Sequence, residues 1–229
     1  MNNEHKLVKP NQALSAKDRL LAVAIKDFAT HCYDGASIRD ITRKARVNIS
    51  AISYYFGDKS GLYQAVLGVI AKRIEEELLV TLNEANIALT DQTLNADAVR
   101  NILHDTFRKF ILFLLDDEIS PYIQRIFVRE HIEPSENFDK FYERSLVPLH
   151  TAIALFVGKT FNLPPESEEN ILCAHTLIGM ILIFKTHRES AIRRLGWTGY
   201  GEVELEKITK VIIRHLDYIA DAYKKELNL

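Results

Sequence analysis

Between Ser37 and Lys59 the chain gathers side chains suited to a polyanion: Arg39, Arg43, Lys44, Arg46 and Lys59 as cations, with Ser37, Asn48, Ser50, Ser53, Tyr54 and Tyr55 as hydrogen-bonding groups. Guanidinium and ammonium groups pair with phosphate oxygens, and short polar side chains reach base edges or sugar-phosphate backbone. A second set, Arg129, Glu130, His150 and His175, lies in apolar surroundings such as Phe127, Ile153, Leu172 and Ile178. Buried polar groups must be paired or solvated. That set therefore forms either a structural network or the polar lining of a small-molecule cavity.

Enzymatic signatures are missing. There is no His-Glu-x-x-His, no Glu three residues before a His, no Cys-x-x-Cys, no Gly-rich phosphate loop and no Gly-x-Ser-x-Gly elbow. The common zinc, di-iron, nucleotide and serine-hydrolase sites are therefore not expected, and neither a metal nor a cofactor is predicted. An all-α enzyme using Arg129, Glu130 and His175 and a protein-binding adaptor remain as alternative classes.

The elements that must position these groups are helical. Leu21, Ala24, Ile25 and Phe28 repeat at helical spacing, as do Leu62, Ala65, Val66, Val69 and Ile70, and later Leu205, Ile208, Ile212, Leu216, Ile219 and Tyr223. No sustained strand alternation occurs, so the fold class is all-α. Start and stop signals predict helices over about 15–31, 37–45, 49–55, 59–83, 96–115, 120–132, 135–160, 166–186 and 203–227. Ser15, Ser37, Asn48, Ser120 and Ser135 serve as N-terminal caps, residues 84–95 as a loop, and Pro148 as a bend.

The segment from Ser37 to Lys59 then reads as two short helices around the turn Arg46-Val47-Asn48. Ile38, Ile41, Ala45, Val47, Ile52 and Tyr55 close inward, leaving Ser50, Ala51, Ser53 and Tyr54 on an outer face narrow enough for a major groove of about 12 Å. Charge supports this division. Residues 1–60 carry ten Lys/Arg against six Asp/Glu, whereas residues 61–229 carry nineteen against twenty-five, within a net charge of −2.

Residues 15–70 resemble the TetR family of bacterial transcriptional repressors. The resemblance is carried by Phe28, Gly35, Ile38 to Ile41, Ala45, Val47, Ile52, Tyr54-Tyr55-Phe56, Lys59, Leu62 and Val66. It implies that Ser37 and Arg39 touch phosphates, that Asn48, Ser50, Ala51, Ser53 and Tyr54 face the bases or backbone, and that Tyr55 and Lys59 clamp flanking phosphates. Two positions depart from the family pattern. Arg46 stands where Gly is usual, so the turn either changes geometry or places Arg46 at positive φ, with a phosphate contact to offset the strain. Thr42 stands where Ala is usual, and its hydroxyl should bond back to the carbonyl of Ile38.

The remainder, over most of residues 125–220, resembles the CecR-like regulators of that family through Arg129-Glu130 with Pro134, Pro148 to His150, His175 with Leu177 to Gly179, and Gly196-Trp197. The resemblance implies an effector pocket, for which Arg129, Glu130, His150 and His175 are the candidates. A single recognition helix reads few base pairs, so a two-fold dimer on a palindrome is expected. The stretch Leu177 to Phe184 is apolar around its whole circumference, which assigns Ile178, Gly179 and Leu182, with Ile212 and Leu216, to dimerisation; a central core helix in a monomer is the alternative. The expected organisation is an arm over 1–14, a DNA-binding head over 15–58, and a ligand-binding and dimerisation domain over 59–229. The expected function is that of a ligand-responsive repressor binding double-stranded DNA. Two cysteines cannot form a disulfide framework, and no apolar run approaches the ~20 residues of a membrane span, so a cytoplasmic location is expected.

Overall fold

The computed structural model describes residues 14–115 and 121–226. In chain order its helices are α1 (Ala16–Gly35), α2 (Ile38–Ala45), α3 (Ser50–Tyr55), α4 (Lys59–Arg73), α5 (Val80–Ala88), α6 (Ala96–Leu115), α7 (Pro121–Ile132), α8 (Phe138–Phe141), α9 (Val147–Phe161), α10 (Glu168–Thr186), α11 (Arg188–Leu195) and α12 (Glu202–Glu226). π-Helical turns at Ile74–Leu79 and Tyr142–Leu146 join α4 to α5 and α8 to α9. No strand occurs among the described residues. The chain forms two compact units, one from residues up to 72 with those around α7 and α8, the other from residues 73 to α6 and from 145 onward. The first unit therefore takes in most of α4 and two later helices, beyond the head expected over 15–58.

In the first unit, local chemistry sets the helix starts. Ser15 accepts from the Asp18 amide at 3.2 Å and Ser37 from the Asp40 amide at 3.4 Å, each satisfying a donor that a helix start leaves open. Regular α1 ends after His31, as expected, because Cys32 adopts φ 62° and ψ 176°; helical turns resume as far as Gly35. Leu20, Ala24 and Phe28 of α1, Ile41 and Ala45 of α2, Ile52 of α3, Leu62, Tyr63 and Val66 of α4, and Ile126 of α7 make one buried core. Asp27 sits in that apolar face of α1, where Lys44 of α2 neutralises it.

In the second unit, α5 packs on α9, α9 on α10, and α6 on both α10 and α12. The predicted loop at 84–95 starts later, because the helix continues to Ala88. Asn86 explains the extension: it is buried, its side-chain amide donates to the Ala152 carbonyl at 3.0 Å, and its backbone carbonyl accepts from Lys159 at 2.6 Å. A π-helical turn precedes Pro148, which stands in the first turn of α9, where its missing N–H is tolerated. Across α6 and α12, Arg100 meets Asp221 at 2.8 Å and Asp217 at 3.5 Å, while His104 meets Asp217 at 2.8 Å. The cap expected at Ser120 and most of the arm lie outside the described residues.

Candidate nucleic-acid interface

Helices α2 and α3 are joined by a turn whose first residue is Arg46, at φ 54° and ψ 50°. This is the left-handed region, so Arg46 does occupy the strained position that Gly usually fills. The turn closes with the Arg46 amide donating to the Arg43 carbonyl at 3.2 Å and the Val47 amide to the Thr42 carbonyl at 3.1 Å. Thr42 is buried, and its hydroxyl lies 3.0 Å from the carbonyls of Ile38 and Arg39, as its position in the helix requires. Ile49, not the expected Asn48, takes the cap position of α3; Asn48 lies just before it, its side-chain oxygen accepting from the amide and hydroxyl of Ser50, both at 2.9 Å.

Only Ile52 of α3 is buried, on the side where α3 packs against α1. Ser50, Ser53 and Tyr54 point to solvent, Ala51 is half-buried, and Tyr54 is 81% exposed. Tyr55, expected inside, is instead exposed and stacks edge-on against Tyr54 at 4.7 Å between ring centroids. Tyr55 is the last residue of the six-residue α3, where the helix ends. The outer surface is therefore small and polar, with a projecting aromatic pair.

The cations divide into two classes. Arg43 pairs with Asp40 at 2.6 Å, and Lys44 with Asp27. Lys59 donates to the Asp34 carbonyl at 3.1 Å and lies 4.9 Å from the centre of the Tyr33 ring. Arg39 and Arg46 are exposed and have no carboxylate partner among the described residues. Ser37 is half-buried, and its hydroxyl is engaged as the cap of α2.

The second residue set does not stay together. Arg129 and Glu130 belong to the first unit, His150 and His175 to the second. Arg129 donates to the carbonyls of Phe28 and Ala29 at 2.9 and 3.0 Å. Glu130, only 2% exposed, accepts from the Tyr63 hydroxyl at 2.6 Å and from the Ser135 hydroxyl at 3.0 Å. Burial first, and then the bond to Glu130, push the Tyr63 phenol well above its ordinary pKa. In the second unit the rings of His150 and His175 lie 5.3 Å apart, and His175 donates through Nδ1 to the Ile171 carbonyl at 2.8 Å. Of the residues assigned to dimerisation, Gly179 is exposed and Ile178 and Leu182 are half-buried, whereas Ile212 (1%) and Leu216 (0%) fill the core of their own unit. No cluster of three or more His, Cys, Asp or Glu side chains suited to a metal occurs among the described residues.

Several positioning residues escape the sequence. Asn137 accepts from Ser60 at 2.6 Å and from Gln64 at 3.0 Å, and Tyr33 donates to Glu136 at 2.7 Å. A β-carbon on Gly61 would fall 1.8 Å from the Phe56 carbonyl oxygen, so the corner between α3 and α4 closes only around glycine. A carboxylate at Asp27, one residue before Phe28 on the inner face of α1, is the kind of sequence signal that flags a buried pair.

Residues 20–66 match the family described as bacterial regulatory proteins of the tetR family, and residues 99–223 match the C-terminal domain of the HTH-type transcriptional dual regulator CecR. The HTH-type transcriptional dual regulator CecR of Shigella flexneri is 30% identical over 219 residues, covering 96% of each chain. Among solved structures, Mycobacterium smegmatis AmtR matches with a TM-score of 0.58 at 17% identity, over 97% of this chain and 99% of that one. AibR, solved in complex with isovaleryl coenzyme A and operator DNA, matches with a TM-score of 0.55 at 17% identity, over 87% and 96%. These two structural likenesses speak for the fold alone.

Proposed function

Because the chain belongs to the TetR family of transcriptional regulators and carries a CecR-type C-terminal domain, we propose that it is a ligand-responsive repressor that binds a palindromic operator as a homodimer. Membership places it among DNA-binding regulators, not enzymes. The observation that carries the DNA reading is the outer face of α3: Tyr54 and two serines project into solvent, flanked by Arg39 and Arg46, which have no carboxylate partner among the described residues. Ser50, Ala51, Ser53 and Tyr54 then meet the groove, Asn48 orients the start of α3, and Ser37 and Tyr55 approach the flanking phosphates, while Lys59 stays held by the Asp34 carbonyl and the Tyr33 ring.

The dimer face is proposed on α10, where Ile171, Leu172, Gly179 and Ile183 are exposed along one side, continued by Val211 and Tyr218 of α12. Exposed apolar residues aligned on two packed helices suit an isologous contact. Ile178 and Leu182 border that stripe, while Ile212 and Leu216 support it from beneath. An effector is proposed to enter the second unit near the His150 and His175 pair. AibR, with its bound coenzyme A ester and operator, illustrates a similar fold carrying both kinds of partner. A cytoplasmic location follows from this role.

The name of the Shigella relative supports a second reading, in which the same protein represses at some sites and activates at others. Selection of bound fragments from random duplex DNA tests the whole proposal. A two-fold symmetric consensus is expected, with affinity falling steeply between ~50 and ~200 mM salt. A consensus without symmetry, or no enrichment, would count against it.

A further inference from the structure

Residues 129–137 grip the end of α1 and the first turns of α4 at the same time. The carbonyls of Phe28 and Ala29 belong to the last regular turn of α1, just before the break at Cys32. The final carbonyls of a helix have no donors within it, and its negative end favours a cation. Arg129 meets both carbonyls with one guanidinium fork. The next residue, Glu130, faces α4 and takes the Tyr63 hydroxyl. Glu136 takes the Tyr33 hydroxyl at the end of α1, and Asn137 takes Ser60 and Gln64 of α4. Phe28, Tyr33 and Tyr63 fill the space between these bonds, with ring centroids 4.7 to 6.2 Å apart.

α4 in turn fixes α3. The Phe56 carbonyl, immediately after α3, lies against the bare α-carbon of Gly61, and Asp58 caps α4 by accepting from the Gly61 amide at 2.8 Å. A displacement of α4 is therefore passed to α3 with little slack. We infer that Arg129, Glu130 and Asn137 are positioning residues for DNA recognition, which aim the recognition helix through α1 and α4 instead of lining an effector pocket. This rests on reading α3 as the recognition helix. Specific readout needs α3 placed to a fraction of an ångström, whereas non-specific binding needs only the cations. The clamp should thus act on specificity more than on bare affinity for DNA.

The test compares two duplexes of equal length, a fragment selected by the wild-type protein and an unrelated sequence. Tyr63→Phe removes one oxygen atom and keeps the ring, so it guards against simple misfolding; Arg129→Met removes the fork and keeps its length. Both variants should bind the selected fragment about tenfold or more weakly, bind the unrelated duplex within about twofold of wild type, and keep the same salt slope. Arg129→Lys, which restores a cation without the fork, should recover part of the loss. Variants that hold full helix content and bind the selected fragment within twofold of wild type would overturn the inference. So would equal losses on both duplexes, since those mark damage to the whole head. Failure of the wild-type protein to select any fragment would remove the recognition-helix reading and the clamp with it, before any variant is made.

Discussion

Arg46→Gly offers a quantitative test of the helix-turn-helix, because two opposed terms meet at one exposed residue. At φ 54° and ψ 50° an L-residue with a β-carbon is strained by ~1–2 kcal/mol, and glycine removes that strain. Glycine also widens the unfolded ensemble, which takes back roughly 0.4–1 kcal/mol. Among the described residues the side chain makes no ion pair that would offset the change, and the closing bonds of the turn are all backbone. A net gain of a few tenths to about 1 kcal/mol is expected, read as a higher urea midpoint at unchanged slope. The second readout is the salt dependence of operator binding. Each Arg46 on a phosphate contributes about 0.9 to the log–log slope, so a dimer should lose nearly two units. Arg46→Ala supplies the control: it keeps a β-carbon and loses the charge, so the slope should flatten by the same amount without the stability gain. Lower stability in Arg46→Gly would refute the strain argument, and an unchanged slope would remove Arg46 from the phosphate contacts.

Tyr54→Ala should weaken operator binding at least tenfold while moving stability by under about 0.5 kcal/mol, since the ring stands in solvent; parallel binding and melting curves check this. Leu172→Arg adds a charge at a position 60% exposed in the single chain, so sedimentation should show a folded monomer if this face is the dimer contact. For Tyr63 the folded pKa is raised, so its stabilisation is complete below the unfolded value of 10.0 and is lost as pH rises above it. The wild-type protein should therefore lose about 1.4 kcal/mol per pH unit more than Tyr63→Phe above pH 10, measured by urea titration across pH 8–11.

Local backbone chemistry was legible because it depends on neighbours in sequence. Ser15 and Ser37 cap the helices assigned to them, Thr42 bonds back to Ile38, and Arg46 takes the left-handed turn, whereas Asn48 stands one residue before the cap position of α3, which Ile49 occupies. Partners in space were not legible. Helical periodicity marks Ile212 and Leu216 as one face of α12, but a buried face looks the same whether it meets its own unit or a second chain. Arg129 and Glu130 present the same difficulty, since apolar flanks announce burial without saying what lies opposite. Tyr55 fails for a simpler reason: its spacing fits the inner stripe, yet it is the last residue of α3 and stays exposed where the helix ends.

The division among the cations carries the last prediction. Sequence alone supplies five per head, Arg39, Arg43, Lys44, Arg46 and Lys59, or ten in a dimer. If all ten displaced counterions, the salt slope would approach −9. In the structure Lys44 neutralises a buried carboxylate and Lys59 is held by a carbonyl and a ring, so neither leaves its partner without loss. Arg43 has a solvent-exposed partner in Asp40, and such pairs open at little cost. Arg39 and Arg46 alone give four cations per dimer and a slope near −3.6, and recruiting Arg43 raises its magnitude to about 5.4. A slope between about −3.5 and −5.5 on the selected fragment is therefore expected, with Lys44→Gln acting through stability instead of the slope. A slope near −9, or one that Lys44→Gln flattens by the same amount as Arg46→Ala, would show that DNA breaks the pair of Lys44 with the buried Asp27 and that α2 shifts against α1 on binding.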